Sequence, residues 1–119
     1  MPDVRILHNP RCGKSRGALE LLNARGLQVE VVRYLDTPPD AADLRQIIAM
    51  LDEPAGALVR RDARFRGLGV EEASLADEAS VIDLLVAHPR LLQRPVVIHD
   101  GRAVIARPPE RVDELFGGP

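Results

Sequence analysis

A chain of 119 residues with 45% hydrophobic and 29% charged side chains is long enough to bury one core and has the balance of an ordinary single globular domain. Its 16 basic and 18 acidic side chains leave a net charge of -2, so no global field draws it to nucleic acid or to a membrane surface, and neither is expected as a partner. No apolar stretch approaches the roughly 18 residues of a bilayer-spanning helix.

Val4 to His8 reads as a short buried strand closed by Asn9-Pro10. A polar turn, Arg11-Cys12-Gly13-Lys14-Ser15, follows; Ser15 to Arg25 then carries Ala18, Leu19, Leu21 and Leu22 at helical spacing, with Gly26 as the stop. Val29 to Tyr34 is rich in β-branched residues and predicts a second strand. Strand, turn, helix and strand make a βαβ unit, which implies a parallel pair and a right-handed crossover. Thr37-Pro38-Pro39-Asp40 resembles a capping box with proline in the first helical position. Leu44, Ile47, Ile48 and Leu51 then form an amphipathic stripe at i, i+3, i+4 and i+7. A shorter helix is expected over Ala55 to Arg61, and a third over Asp77 to His88, striped by Val81, Leu84 and Leu85 and ended by Pro89. Pro95 to His99 and Arg102 to Ala106 read as strands joined by Asp100-Gly101, a strong hairpin signal. Pro108-Pro109 opens a last short helix with Val112, Leu115 and Phe116 on one face. This order predicts an α/β fold over residues 1–119: a thioredoxin-like mixed four-stranded sheet with a helical insertion at about 38–90.

Cys12 is the only cysteine, which rules out a disulfide within the chain and suits a reducing compartment. Met1-Pro2-Asp3-Val4-Arg5 shows no basic region followed by an apolar run, so a cytoplasmic location is expected. Cys12 stands between a strand-ending Asn-Pro and an amphipathic helix, where the free N–H groups of the first turn carry about half a positive charge. Arg11 and Lys14 flank it, and Ser15 can offer both its N–H and its hydroxyl. Such surroundings favour thiolate over thiol, and the same N–H cluster can cradle an oxyanion. His8, four residues earlier, can support the thiolate when protonated. His88 and His99 lack the partners of a zinc site and read as structural, so no metal is expected.

Three neighbouring motifs fail. Gly13-Lys14-Ser15 echoes the end of a phosphate-binding loop, but His8 stands where the first glycine belongs. A cysteine phosphatase loop would require arginine at Ala18, and a Cys-x-x-Cys pair would require cysteine at Ser15. Modified Cys12 must therefore be rescued by a thiol from outside.

The run His8-Asn9-Pro10-Arg11-Cys12-Gly13-Lys14-Ser15-Arg16 is followed by Tyr34-Leu35-Asp36-Thr37-Pro38-Pro39, Ala57-Leu58-Val59-Arg60, His88-Pro89, Arg94-Pro95-Val96-Val97 and Gly101 through Arg107-Pro108. On these anchors the chain resembles the glutaredoxin-coupled arsenate reductase family, from Val4 to about Phe116. The resemblance implies that Cys12 attacks arsenate, that His8 and Ser15 favour its thiolate, and that Arg60, Arg94 and Arg107 bind the oxyanion beside Gly13 and Lys14. Arg61 is an alternative to Arg60, and Arg64 and Arg66 read as surface residues. It further implies a cis peptide bond before Pro95, no bound cofactor, glutathione as co-substrate and glutaredoxin as partner. Two other readings keep the fold: a glutathione-linked thiol oxidoreductase of a different substrate, and a redox regulator that binds RNA polymerase. Ser15 in place of a second cysteine, together with Arg107, weighs against the last.

Overall fold

The computed structural model describes residues 2–116. Val4–His8 is β1, Val29–Arg33 is β2, Val96–His99 is β3 and Arg102–Ile105 is β4, ordered β2-β1-β3-β4 in one sheet. β1 pairs parallel with β2 and antiparallel with β3, and β3 pairs antiparallel with β4. This mixed sheet with helices on its faces is the thioredoxin-like arrangement.

Side-chain alternation divides the interior in two. Val4 and Ile6 of β1, Val97 of β3, and Val104 with Ala106 at β4 pack under α1 (Gly13–Ala24), against Ala18 and Leu22, and under the closing 3-10 helix Pro109–Leu115. Leu7, Val96, Ala103 and Ile105 face the other way, onto the helical segment between β2 and β3. That segment consists of α2 (Ala41–Met50), α3 (Ala63–Gly67), α4 (Glu78–Ala87) and three 3-10 turns, Ala55–Leu58, Glu72–Ala76 and Pro89–Leu91. Leu44 and Ile47 of α2 and Val81, Ile82 and Leu85 of α4 are buried there with Phe65. The expected stripes are therefore real, with Ile48, Leu51 and Leu84 only partly buried at the edge of this core.

Several expected boundaries are corrected. α1 begins at Gly13, two residues before the expected start, because Cys12 itself is the N-cap and its carbonyl accepts from Arg16 at 3.0 Å. The capping box before α2 is Asp40 with Asp43, each accepting from the other's backbone N–H, so both prolines precede the helix. The helix expected over Ala55 to Arg61 stops at Leu58; Val59 turns extended and bridges Leu92. The short helix α3 and the turn at Glu72–Ala76 are additional to the sequence reading. Asp62 starts α3 by accepting from Phe65 N–H, and five residues are too few to show periodicity. The hairpin is as read: Asp100 at φ 50° and Gly101 at φ 77° form a turn with positive φ at both central residues. The peptide bonds before Pro95 and Pro108 are both cis.

Candidate active site

β1 delivers the chain to a tight corner. Asn9 is buried; its carbonyl accepts from Cys12 N–H and its side-chain oxygen from Arg11 N–H, each at 3.0 Å. This Asx turn reverses the chain from strand to helix and leaves Cys12 half-buried at the N-terminus of α1. The cysteine side chain closes no capping hydrogen bond, so the free amides of the first turn stay available around the sulfur.

The electrostatics favour the thiolate. Burial, the largest influence, pushes the Cys12 pKa up; the N–H of Ser15, the Arg94 guanidinium and the N–H of Lys14 together outweigh it, leaving the pKa below the ordinary thiol value. Arg107 Nη1 also reaches Sγ at 3.9 Å, and the same nitrogen donates to the Arg94 carbonyl at 3.0 Å. One guanidinium thus ties the end of β4 to the segment before β3 across the sulfur.

Ser15 and His8 hydrogen-bond each other at the corner between β1 and α1. The Ser15 hydroxyl is fully buried: it lies 2.6 Å from His8 Nδ1 and accepts from Asn9 N–H at 3.0 Å. Only the Ser15 amide serves Cys12. The hydroxyl and His8 Nδ1 share one hydrogen bond, its direction set by the imidazole tautomer. Burial, with Arg33 and Arg16 nearby, lowers the His8 pKa, which disfavours the imidazolium that was expected to support the thiolate. The buried chain His8, Ser15 and Asn9, extended at 3.4 Å to Tyr34 Oη, locks the corner that presents the cysteine.

Cys12, Gly13, Lys14, Arg60, Arg107 and Pro109 line one depression. Arg60 and Arg61 have different surroundings. Arg61 is folded back onto the carbonyls of Gly56 and Val59 and onto Glu72, whereas Arg60 lines the cysteine depression and, among the described residues, makes a single 3.5 Å contact to Asp62. Arg94 lies close enough to act on the sulfur and lines a neighbouring, larger cleft. Arg60, Arg94 and Arg107, far apart in sequence, thus come together around Cys12. Lys14 and Gly13 are exposed at the rim. Asn9 and Tyr34 were missed as supporting residues; an Asn before a Pro at a strand end signals a turn but not a brace. His99 is structural, bonding the Asp3 carbonyl at 2.7 Å and stacking on Phe116.

A thioredoxin-like sheet that presents one solitary cysteine at a helix N-terminus, ringed by arginines, defines a class of single-thiol proteins equipped to meet an anion. The ArsC family profile matches residues 7–115, and the chain belongs to that family. It is 42% identical to an arsenate reductase of Neisseria meningitidis over 98% of this chain and 100% of that one. To the uncharacterised Escherichia coli protein YfgD it is 45% identical, over 96% and 97% of the two chains. Among solved structures, the arsenate reductase from Vibrio cholerae superposes with a TM-score of 0.84 at 32% identity, covering 96% of this chain and 98% of the other. No described helix is long and apolar enough to cross a membrane.

Proposed function

We propose that this protein reduces arsenate to arsenite, using Cys12 as nucleophile and drawing its other thiols from glutathione and glutaredoxin. The observation that carries the reading is the meeting of Arg60, Arg94 and Arg107 around a cysteine whose pKa is held down. The names of its relatives favour the same substrate.

Arsenate enters as an oxyanion and is held by charge-assisted hydrogen bonds from the guanidiniums, each worth about 1.5–3 kcal/mol. Cys12 thiolate attacks the pentavalent arsenic, and one oxygen leaves as water after protonation. Glutathione displaces a second oxygen in the same way, leaving arsenic bonded to Cys12 and to the glutathione sulfur. A glutaredoxin thiolate then attacks the glutathione sulfur. The arsenic–sulfur bond breaks with its electron pair kept by arsenic, which becomes trivalent, and a glutaredoxin–glutathione disulfide forms. Water finally replaces Cys12 at arsenic and releases arsenite. Both sulfurs that supply the two electrons come from outside, as a chain with one cysteine requires, and Cys12 leaves the cycle as the thiol it entered. The reducing conditions this cycle needs correspond to a cytoplasmic setting.

The deciding experiment is arsenate-dependent NADPH consumption with glutathione, glutathione reductase and glutaredoxin. Wild type should turn over, and Cys12→Ser should fall to background. Turnover retained by Cys12→Ser would overturn the mechanism, and turnover sustained by thioredoxin without glutathione would overturn the donor assignment.

A further inference from the structure

Beside the cysteine depression lies a second cleft, of about 740 Å³, whose lining includes Arg11, Arg33, Arg64, Arg90 and Arg94. Only Asp36 and Asp62 oppose these five charges, and both are already engaged: Asp36 contacts Arg33 and Asp62 contacts Arg60, each at 3.5 Å. Among the described residues, Arg11, Arg64, Arg90 and Arg94 have no carboxylate within ion-pair distance, so the cleft carries an uncompensated positive charge. Arg94 Nε is, in addition, buried without a hydrogen-bond partner. A buried donor left unpaired is costly unless something else occupies it.

The cleft is separate from the oxyanion depression yet continuous with the chemistry. Arg94 lines it and also stabilises the Cys12 thiolate, and Arg11 directly precedes Cys12. Its volume suits a small peptide rather than a lone tetrahedral anion, and several spaced guanidiniums match more than one carboxylate.

We propose that this cleft seats the small thiol co-substrate, a peptide thiol with two carboxylates, with its sulfur at the Arg94 end and its carboxylates toward Arg64 and Arg90. The proposal deepens the reading of an externally supplied thiol and rests on it. Arsenic would then be approached from both sides, by Cys12 from the protein and by the second sulfur from the cleft.

The test is calorimetric titration of full-length Cys12→Ser protein with S-methylglutathione, which carries both carboxylates but cannot react. Binding should weaken with salt, should be lost when both carboxylates are amidated, and should weaken about tenfold in the Arg64→Ala/Arg90→Ala double variant at unchanged melting temperature. Arg45→Ala, on exposed α2 surface outside the cleft, should bind as the parent does. No binding, or equal binding by the double variant, would overturn the site. The two readings separate cleanly: saturable binding in a protein that fails to reduce arsenate leaves the cleft standing, while arsenate turnover with an unchanged glutathione KM in the double variant removes the cleft alone.

Discussion

Arg60 and Arg61 are adjacent and chemically identical, yet they sit in different surroundings. Arg61 satisfies two backbone carbonyls and pairs with Glu72, holding the Ala55–Leu58 turn against the Glu72–Ala76 turn. Arg60 contacts Asp62 and lines the depression that Cys12 shares. Arg60→Ala should therefore lower kcat/KM for arsenate about 10- to 100-fold, the value of one charge-assisted hydrogen bond to the oxyanion, with little change in stability. Arg61→Ala should do the reverse, lowering the melting temperature while leaving the activity of the folded fraction intact. Steady-state kinetics paired with thermal melts on both variants check this; an activity loss confined to Arg61→Ala would exchange the roles. Sequence carried the triad only through its resemblance, because no spacing rule links positions 60, 94 and 107. The cysteine itself was legible from local chemistry: a strand end, a turn, flanking cations and a helix start. What local reading could not supply was the direction of the Ser15 hydroxyl, since that depends on burial beneath the helix and on His8 across the corner.

At the level of elements, the helical segment owes its shape to close approaches as much as to apolar stripes. Gly56, buried in the turn before Arg60, has no room for a side chain: an added Cβ would stand 2.9 Å from the Leu75 carbonyl oxygen. Gly56→Ala should cost about 1–3 kcal/mol, read as a shift of the denaturant midpoint, because backbone cannot move aside as a flexible side chain can. An unchanged midpoint would show that the two turns do not press together as described. The long elements were legible because their periodicity persists over several turns. Leu44 and Ile47 mark α2, and Val81 and Leu85 mark α4. The short ones, α3 and the turn at Glu72–Ala76, were not, since they are held by Asp62 capping and by contact with the core rather than by a repeating pattern. The sheet was legible at its hairpin, where Asp100-Gly101 fixes the turn, and at its βαβ start.

Across the whole molecule, stability and reactivity share the corner where β1 meets α1. His8 is held neutral in the folded chain, with a pKa below 6.5, by burial and by Arg33 and Arg16. As pH falls, the unfolded chain takes up the proton first, so stability is fully present above 6.5 and declines as pH drops through the folded value. Denaturant unfolding of wild type and His8→Gln between about pH 8 and 5 should show wild type losing more of its stability on acidification, so that the gap between the two closes. A gap that widens would mean the imidazolium is the favoured form. The Cys12 sulfur has a clean spectroscopic signal, because the chain holds one cysteine, no tryptophan and a single tyrosine, Tyr34, which is buried. Titration of the ultraviolet thiolate absorbance of wild type against Cys12→Ser reports that group directly. A transition below the ordinary thiol value is expected, absent in Cys12→Ser and moved upward in Arg94→Ala. One at or above the ordinary value, indifferent to Arg94, would contradict this expectation.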